Sequence, residues 1–305
     1  MKKKTAFAIA LIVLIVVTAS LIIFYSKPSP PQNPYAFKND TLYYLQDRGQ
    51  PDYEISVKEV TDNYTVYNID FQSRNFLNYT TRIYGLLFVP ISNSDVPGLV
   101  LLPGGSVSKE AEAHLASKIA NMGYAALTID QRGIGQTGGY YLWIQEDYEV
   151  FVQDEEPIQH LSVFDGLRAY DVLRNINGIE HDDIAIAGES MGGRYAIIAA
   201  AIDKRLKGVI AISSAGFHVP DTPVYPYTNY LLSIDPDHYI DKISPNKVFM
   251  LHGNNDTTIN INDAKITYNL AGEPKRFFTA DGCGHGYCDV MYDELKEDLR
   301  LIFIK

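Results

Sequence analysis

Residue types that together carry out nucleophilic acyl chemistry occur in this chain where it turns sharply. Ser190 lies in Gly188-Glu189-Ser190-Met191-Gly192-Gly193, between the apolar run Ile184–Ala187 and the stretch Tyr195–Ala201. The first run reads as a buried strand and the second as a buried helix. A strand passing straight into a helix strains the backbone at the junction, so the neighbouring residues must lack bulky side chains. Gly188-x-Ser190-x-Gly192 is thus the pattern of a nucleophile elbow, which lifts the hydroxyl above a sheet with the positive end of a helix beneath it. The same pattern also fits a glycine-rich turn that merely packs closely, so the assignment depends on partners.

A serine hydroxyl is a poor nucleophile near neutral pH and needs a base that is itself oriented by a third group. Among seven histidines, His285 is the candidate base, because Gly284-His285-Gly286 follows the last apolar strand. Asp256 is the candidate acid, in His252-Gly253-Asn254-Asn255-Asp256 just beyond the apolar run ending at Leu251. Asp281 is the runner-up; four residues before the histidine in the same loop, it also suits turn chemistry.

These positions require elements to hold them. Between Ile55 and Val89 the pattern alternates, which reads as antiparallel strands over 55–60, 64–71 and 82–89. After Pro90 come short continuous apolar runs at 99–102, 124–130, 184–187, 208–212, 247–251 and 276–279. Helices are expected near 110–122, 157–175, 261–271 and 289–303. Continuous apolar strands alternating with helices imply a mostly parallel sheet covered on both faces, here taken as eight-stranded. In such sheets ligands bind at the carboxyl ends of the strands, where the unusual loops of this chain fall.

The order Ser190, Asp256, His285 is that of α/β-hydrolase triads. With Asp130-Gln-Arg-Gly133-x-Gly135 and Asp237-His-Tyr-Ile-Asp-Lys-Ile-Ser-Pro245, residues 55–305 resemble the α/β-hydrolase superfamily. The resemblance is greatest to the branch of dienelactone hydrolases, acetyl-xylan esterases and S9-type peptidases. It implies the α/β-hydrolase fold and acyl transfer to water through an acyl-enzyme, with no metal or organic cofactor. It also implies an oxyanion hole of two amides. Met191 supplies one, and Gly105, or else Ser106, supplies the other. Pro103-Gly104-Gly105 stands where members of the branch commonly carry His-Gly-x.

The N-terminus bounds the setting. Met1-Lys2-Lys3-Lys4 precedes an uncharged apolar run from Ala6 to Tyr25, and twenty residues of helix rise about 30 Å, a bilayer core. Residues 1–25 therefore read as a transmembrane signal anchor with its N-terminus in the cytoplasm. Cleavage near Val17-Thr18-Ala19 and secretion is the alternative; an all-round apolar run does not suit a helix with a polar face. Residues 26–54 form a proline-rich linker and lead-in to the catalytic domain at 55–305. The net charge of −11 argues against nucleic-acid partners, and nothing in the sequence sets an oligomeric state. Cys283 and Cys288 are the only cysteines; export permits a disulfide without requiring one, and their spacing suits neither zinc nor a redox pair. Asn39, Asn63 and Asn78 head formal glycosylation sequons.

The substrate is a small-molecule or peptide acyl compound. A short lid at 216–245 carries Phe217, Tyr225, Tyr227, Tyr230 and Tyr239, which would either cover an apolar acyl group or pack among themselves. Glu146, Asp147, Glu149, Asp154, Glu155 and Glu156 would either bind a cationic group or form a solvated face. An esterase is the leading reading. An S9-like peptidase and an inactive hydrolase-fold binding protein are the alternatives; no propeller precedes the domain, and Met191 stands where such peptidases usually carry tyrosine.

Overall fold

The computed structural model describes residues 35–38, 41–220 and 226–304. The anchor expected at residues 1–25 and the proline-rich segment after it lie outside the described residues. Among the described residues, no helix is long and apolar enough to cross a membrane.

The core is a sheet of β3 (Tyr53–Val60), β4 (Tyr64–Gln72), β5 (Arg82–Pro90), β6 (Val96–Leu102), β7 (Ala125–Ile129), β8 (Ile179–Glu189), β9 (Gly208–Ile212), β10 (Lys247–Gly253) and β11 (Lys275–Ala280). Its order is β11-β10-β9-β8-β6-β7-β5-β4-β3. The six strands from β6 onward run parallel, and β5, β4 and β3 are antiparallel. The sheet thus has nine strands rather than the expected eight. All nine runs read as strands form one; the edge strand β3, expected at 55–60, is exposed along almost its whole length and pairs with β4, with Tyr53 packed against the core.

The helices are α1 (Ala113–Asn121), α2 (Ile144–Phe151), α3 (Ile158–Leu173), α4 (Met191–Ile202), α5 (Pro226–Ile234), α6 (Ile261–Leu270) and α7 (Tyr292–Phe303). The strands read as unbroken apolar runs because both faces are covered. Val100, Leu102, Ile184 and Ile186 point into one core with α3 and α4, while Leu99, Leu101, Ala185 and Ala187 point into the other with α1 and α7.

Besides α5 in the lid, two further elements were not expected. β1 (Tyr35–Lys38) and β2 (Thr41–Tyr44) pair as a separate two-stranded ribbon inside the segment read as a lead-in. The phenol of its Tyr44 donates to Glu156 Oε1 at 2.6 Å. Helix α2 occupies part of the acidic stretch read as a loop, with Glu146 accepting from the amide of Trp143 at its start (2.9 Å).

The connections place the site. From β6 the chain passes through α1 to β7 on one side, whereas from β8 it passes through α4 to β9 on the other. The loops leaving β6 and β8 diverge, and a crevice opens between the carboxyl ends of these neighbours. Leu102, the last residue of β6, pairs with Gly188, so the Pro103–Gly105 loop begins beside the elbow.

Candidate active site

The backbone at Ser190 is left-handed, with φ 52° and ψ −116°, immediately before α4. A non-glycine residue holds such a conformation only where its surroundings enforce it. Here the Ser190 amide donates to Ile212 O at 2.9 Å. The flanking glycines are needed for approach: a Cβ at Gly188 would lie 2.3 Å from the Gly192 backbone, and one at Gly192 would lie 2.2 Å from Leu102 O. Gly192→Ala should therefore push α4 away from the end of β6. We expect a cost of about 1–3 kcal/mol, roughly 2–10 °C in melting temperature at this size, checked by calorimetry. An unchanged melting temperature would show that the loop yields freely.

Asp256 and His285 come together. Asp256 Oδ2 accepts from His285 Nδ1 at 2.8 Å, and its Oδ1 accepts from the amides of Thr258 and Ile259 at 2.8 and 2.9 Å. Burial alone would raise this carboxyl, but the Ile259 amide, His285 and the Thr258 amide outweigh it and hold Asp256 below the usual carboxylate range. His285 stands in a loop closed by a disulfide between Cys283 and Cys288. Two buried histidines have different surroundings. His252 is buried and bonded to Ile259 O at 2.9 Å, and His160 is buried between Tyr35 and Ser233, where desolvation drives it down to about 3. Asp281, the second candidate acid, is exposed and accepts from Asn254 Nδ2 at 2.9 Å.

Ser190 and His285 line one cavity of about 550 Å³, together with Gly104, Gly105, Met191 and Thr258. The Gly104–Gly105 loop passes close to Ser190, for a Cβ on Gly104 would stand 3.7 Å from Ser190 Cβ. Among the described residues, the amides of Gly105 and Met191 donate to no other group. Gln131 holds this loop, since its Nε2 donates to Pro103 O and Gly104 O at 2.9 and 3.0 Å. The neighbouring Asp130 accepts from the buried Lys109 amide and ammonium at 2.9 and 2.8 Å. The Asp130–Gly135 motif thus supports the Pro103–Gly105 loop.

The lid aromatics mostly pack inward. Tyr230 is fully buried and its hydroxyl donates to Asp147 Oδ2 at 3.0 Å; that of Tyr239 donates to Ser233 O at 2.8 Å. Tyr225 lies outside the described residues. The aromatics on the cavity are instead Tyr141, Trp143 and Tyr287, which follow loops and carry no periodic signal. The acidic stretch also separates into structural pieces. Asp147 is buried and accepts from the Ile158 and Gln159 amides at the start of α3 (2.6 and 2.8 Å), and Glu156 pairs with Arg74 at 2.6 Å. Glu146, Glu149, Asp154 and Glu155 are exposed, so a cation-binding cluster is not assembled.

Two carboxyls that the sequence reading did not single out as site residues, Glu112 and Glu189, also line the cavity. Burial first and the Glu189 charge second push Glu112 up to about 8, against an amide hydrogen bond from Gly104; Glu189 is raised by burial. A carboxyl raised in the folded state contributes stability that is fully present below its unfolded value, near 4.5, and is lost as pH rises through about 8. Glu112→Gln, which mimics the protonated acid, should flatten the fall in melting temperature between pH 5 and 9 by at least about 2–4 °C. Parallel melting curves for the two proteins would contradict this.

Residues 24–215 match the family described as acetyl xylan esterase (AXE1). The chain is 32% identical over 136 residues to the hydrolase pyiE of Pyricularia grisea, covering 42% of this chain but only 27% of that protein. It is 25% identical over 224 residues to the uncharacterized protein YfhR of Escherichia coli O157:H7, covering 69% of this chain and 73% of the relative. The fold is that of a solved acetyl xylan esterase from Paenibacillus sp. R4, with a TM-score of 0.69 at 18% identity over 84% of this chain and 90% of the other.

Proposed function

Since the chain belongs to the acetyl xylan esterase (AXE1) family, we propose that it is a serine carboxylic ester hydrolase with Ser190 as nucleophile, His285 as base and Asp256 as orienting acid. The observation that carries the assignment is the Asp256–His285 bond of 2.8 Å at a cavity that also holds the strained Ser190. His285 takes the hydroxyl proton as Ser190 attacks the ester carbonyl. The Gly105 and Met191 amides receive the oxyanion, a role in which one donor is worth roughly 10²–10³ in turnover. His285 then protonates the leaving alcohol and activates the water that releases the acyl group. The substrates are small esters, in keeping with the size of the cavity.

The peptidase reading loses its support once Asp147 and Glu156 are committed to internal partners. We further propose that the domain lies outside the cytoplasm, tethered by residues 1–25. The apolar run and the Cys283–Cys288 disulfide support this placement. One experiment tests the whole reading. Intact cells bearing the full-length chain are treated with a membrane-impermeant fluorophosphonate probe, and the purified protein is then offered acyl esters and aminoacyl amides. Labelling of the wild type but not Ser190→Ala, with ester cleavage, is expected. Labelling only after lysis would place the domain inside, cleavage confined to amides would make it a peptidase, and no labelling at all would leave a binding protein.

A further inference from the structure

Arginine in this protein is almost always half of an ion pair. Nine of its ten arginines stand within salt-bridge distance of a carboxylate. The tenth is Arg194, whose guanidinium has no hydrogen-bond or ion-pair partner among the described residues. It follows the candidate nucleophile by one helical turn, its amide donating to Ser190 O at 3.3 Å. Residues so spaced share a helix face, and Arg194 accordingly lines the same cavity as Ser190 and His285.

Its surroundings fix the group without neutralising it. The guanidinium carbon lies 4.4 Å from the centroid of the Phe217 ring, an arrangement that orients the planar fork and leaves its edge N–H groups free. The neighbouring carboxylate, Asp235, is occupied by the amides of Phe217, Val219 and Asp237 at 3.0–3.1 Å. Tyr141, Tyr195 and Tyr230 are the other polar groups around it, and burial pulls the guanidinium below its ordinary range. A partly buried cation that no carboxylate pairs among the described residues is costly. An anion entering the cavity would remove that cost, and a carboxylate matches the fork in two parallel hydrogen bonds.

We propose that Arg194 is the specificity residue for a carboxylate carried by the ester substrate, on its acyl or its alcohol side, so that the enzyme selects anionic esters. The inference rests on the ester hydrolase reading above for its reaction, but not for its binding site.

The full-length protein is compared with Arg194→Gln and Arg194→Lys on two matched pairs. p-Nitrophenyl hemiglutarate against p-nitrophenyl pentanoate tests the acyl side, and 3-acetoxybenzoate against its methyl ester tests the alcohol side. In one pair the wild type should prefer the anion. Arg194→Gln should lower the anion-to-neutral ratio of kcat/KM by roughly 10- to 100-fold, the range for a lost charged hydrogen bond, chiefly through KM, with Arg194→Lys intermediate. Calorimetric binding of glutarate, which is not a substrate, should weaken at least tenfold in Arg194→Gln, with melting temperatures recorded for each protein. Ratios independent of residue 194 in both pairs would overturn the proposal, as would glutarate binding that ignores it. Arg194-dependent glutarate binding without any Ser190-dependent hydrolysis would uphold the anion site and sink the hydrolase reading instead.

Discussion

Ser190→Ala should lower kcat/KM for a small acyl ester by at least about 10⁴-fold while leaving the melting temperature almost unchanged. The rate loss is of the order found when a nucleophile that works as a unit with its base is removed. What remains is catalysis by the oxyanion amides and by substrate positioning. The stability expectation comes from the backbone. The strain at φ 52° belongs equally to serine and alanine, and the amide bond to Ile212 O and the close passage of Gly192 under Leu102 O do not involve the hydroxyl. A low rate with intact folding is therefore the specific signature. Hydrolysis that persists in Ser190→Ala would have to use another hydroxyl of the cavity wall, that of Thr258, Tyr141 or Tyr287.

What the sequence made legible was decided by short-range sterics. The elbow can be read from five residues because its glycines are required by contacts between Gly188 and Gly192 and between Gly192 and the adjoining strand end. The candidate triad positions follow from strand ends, and these are marked by apolar runs stopping at glycine and asparagine. Other features depended on contacts distant in the chain. Glu156 looked like part of an acidic face until folding brought Tyr44 and Arg74 to it. Tyr230 looked like a lid residue, yet its hydroxyl bonds Asp147 from 83 positions away. Glu112 and Arg194 carry no motif, and each gains its meaning from the wall of the cavity on which the fold sets it. The ribbon of β1 and β2 was missed because four-residue strands beside a proline-rich segment are too short to show a period.

Asp256→Asn should cost on the order of 10⁴ in kcat, the magnitude known for the equivalent change in the serine protease template, whereas Asp281→Asn should stay within about twofold. The asymmetry of the Asp256 hydrogen bonds explains why. Oδ1 accepts two backbone amides, from Thr258 and Ile259, so an asparagine must keep its carbonyl oxygen on that side. Its NH₂ group then faces His285 Nδ1, where the carboxylate had accepted at 2.8 Å. A donor there stabilises the tautomer with Nδ1 bare and Nε2 protonated, and such an imidazole cannot take the proton of Ser190. The buried His252 Nε2, 3.3 Å from Asp256 Oδ2, loses the same negative neighbour. Asp256 is held below the usual carboxylate range in the folded state, so its contribution to stability is present above the unfolded value and is lost as pH falls through the folded one. Asp256→Asn should therefore also remove part of the stability measured at neutral pH and make the melting temperature less sensitive to acid. Asp281, exposed and bonded to Asn254, has no such leverage. Kinetics of both variants on one ester separate the two acids. A crippled Asp281→Asn beside an active Asp256→Asn would transfer the orienting role to Asp281.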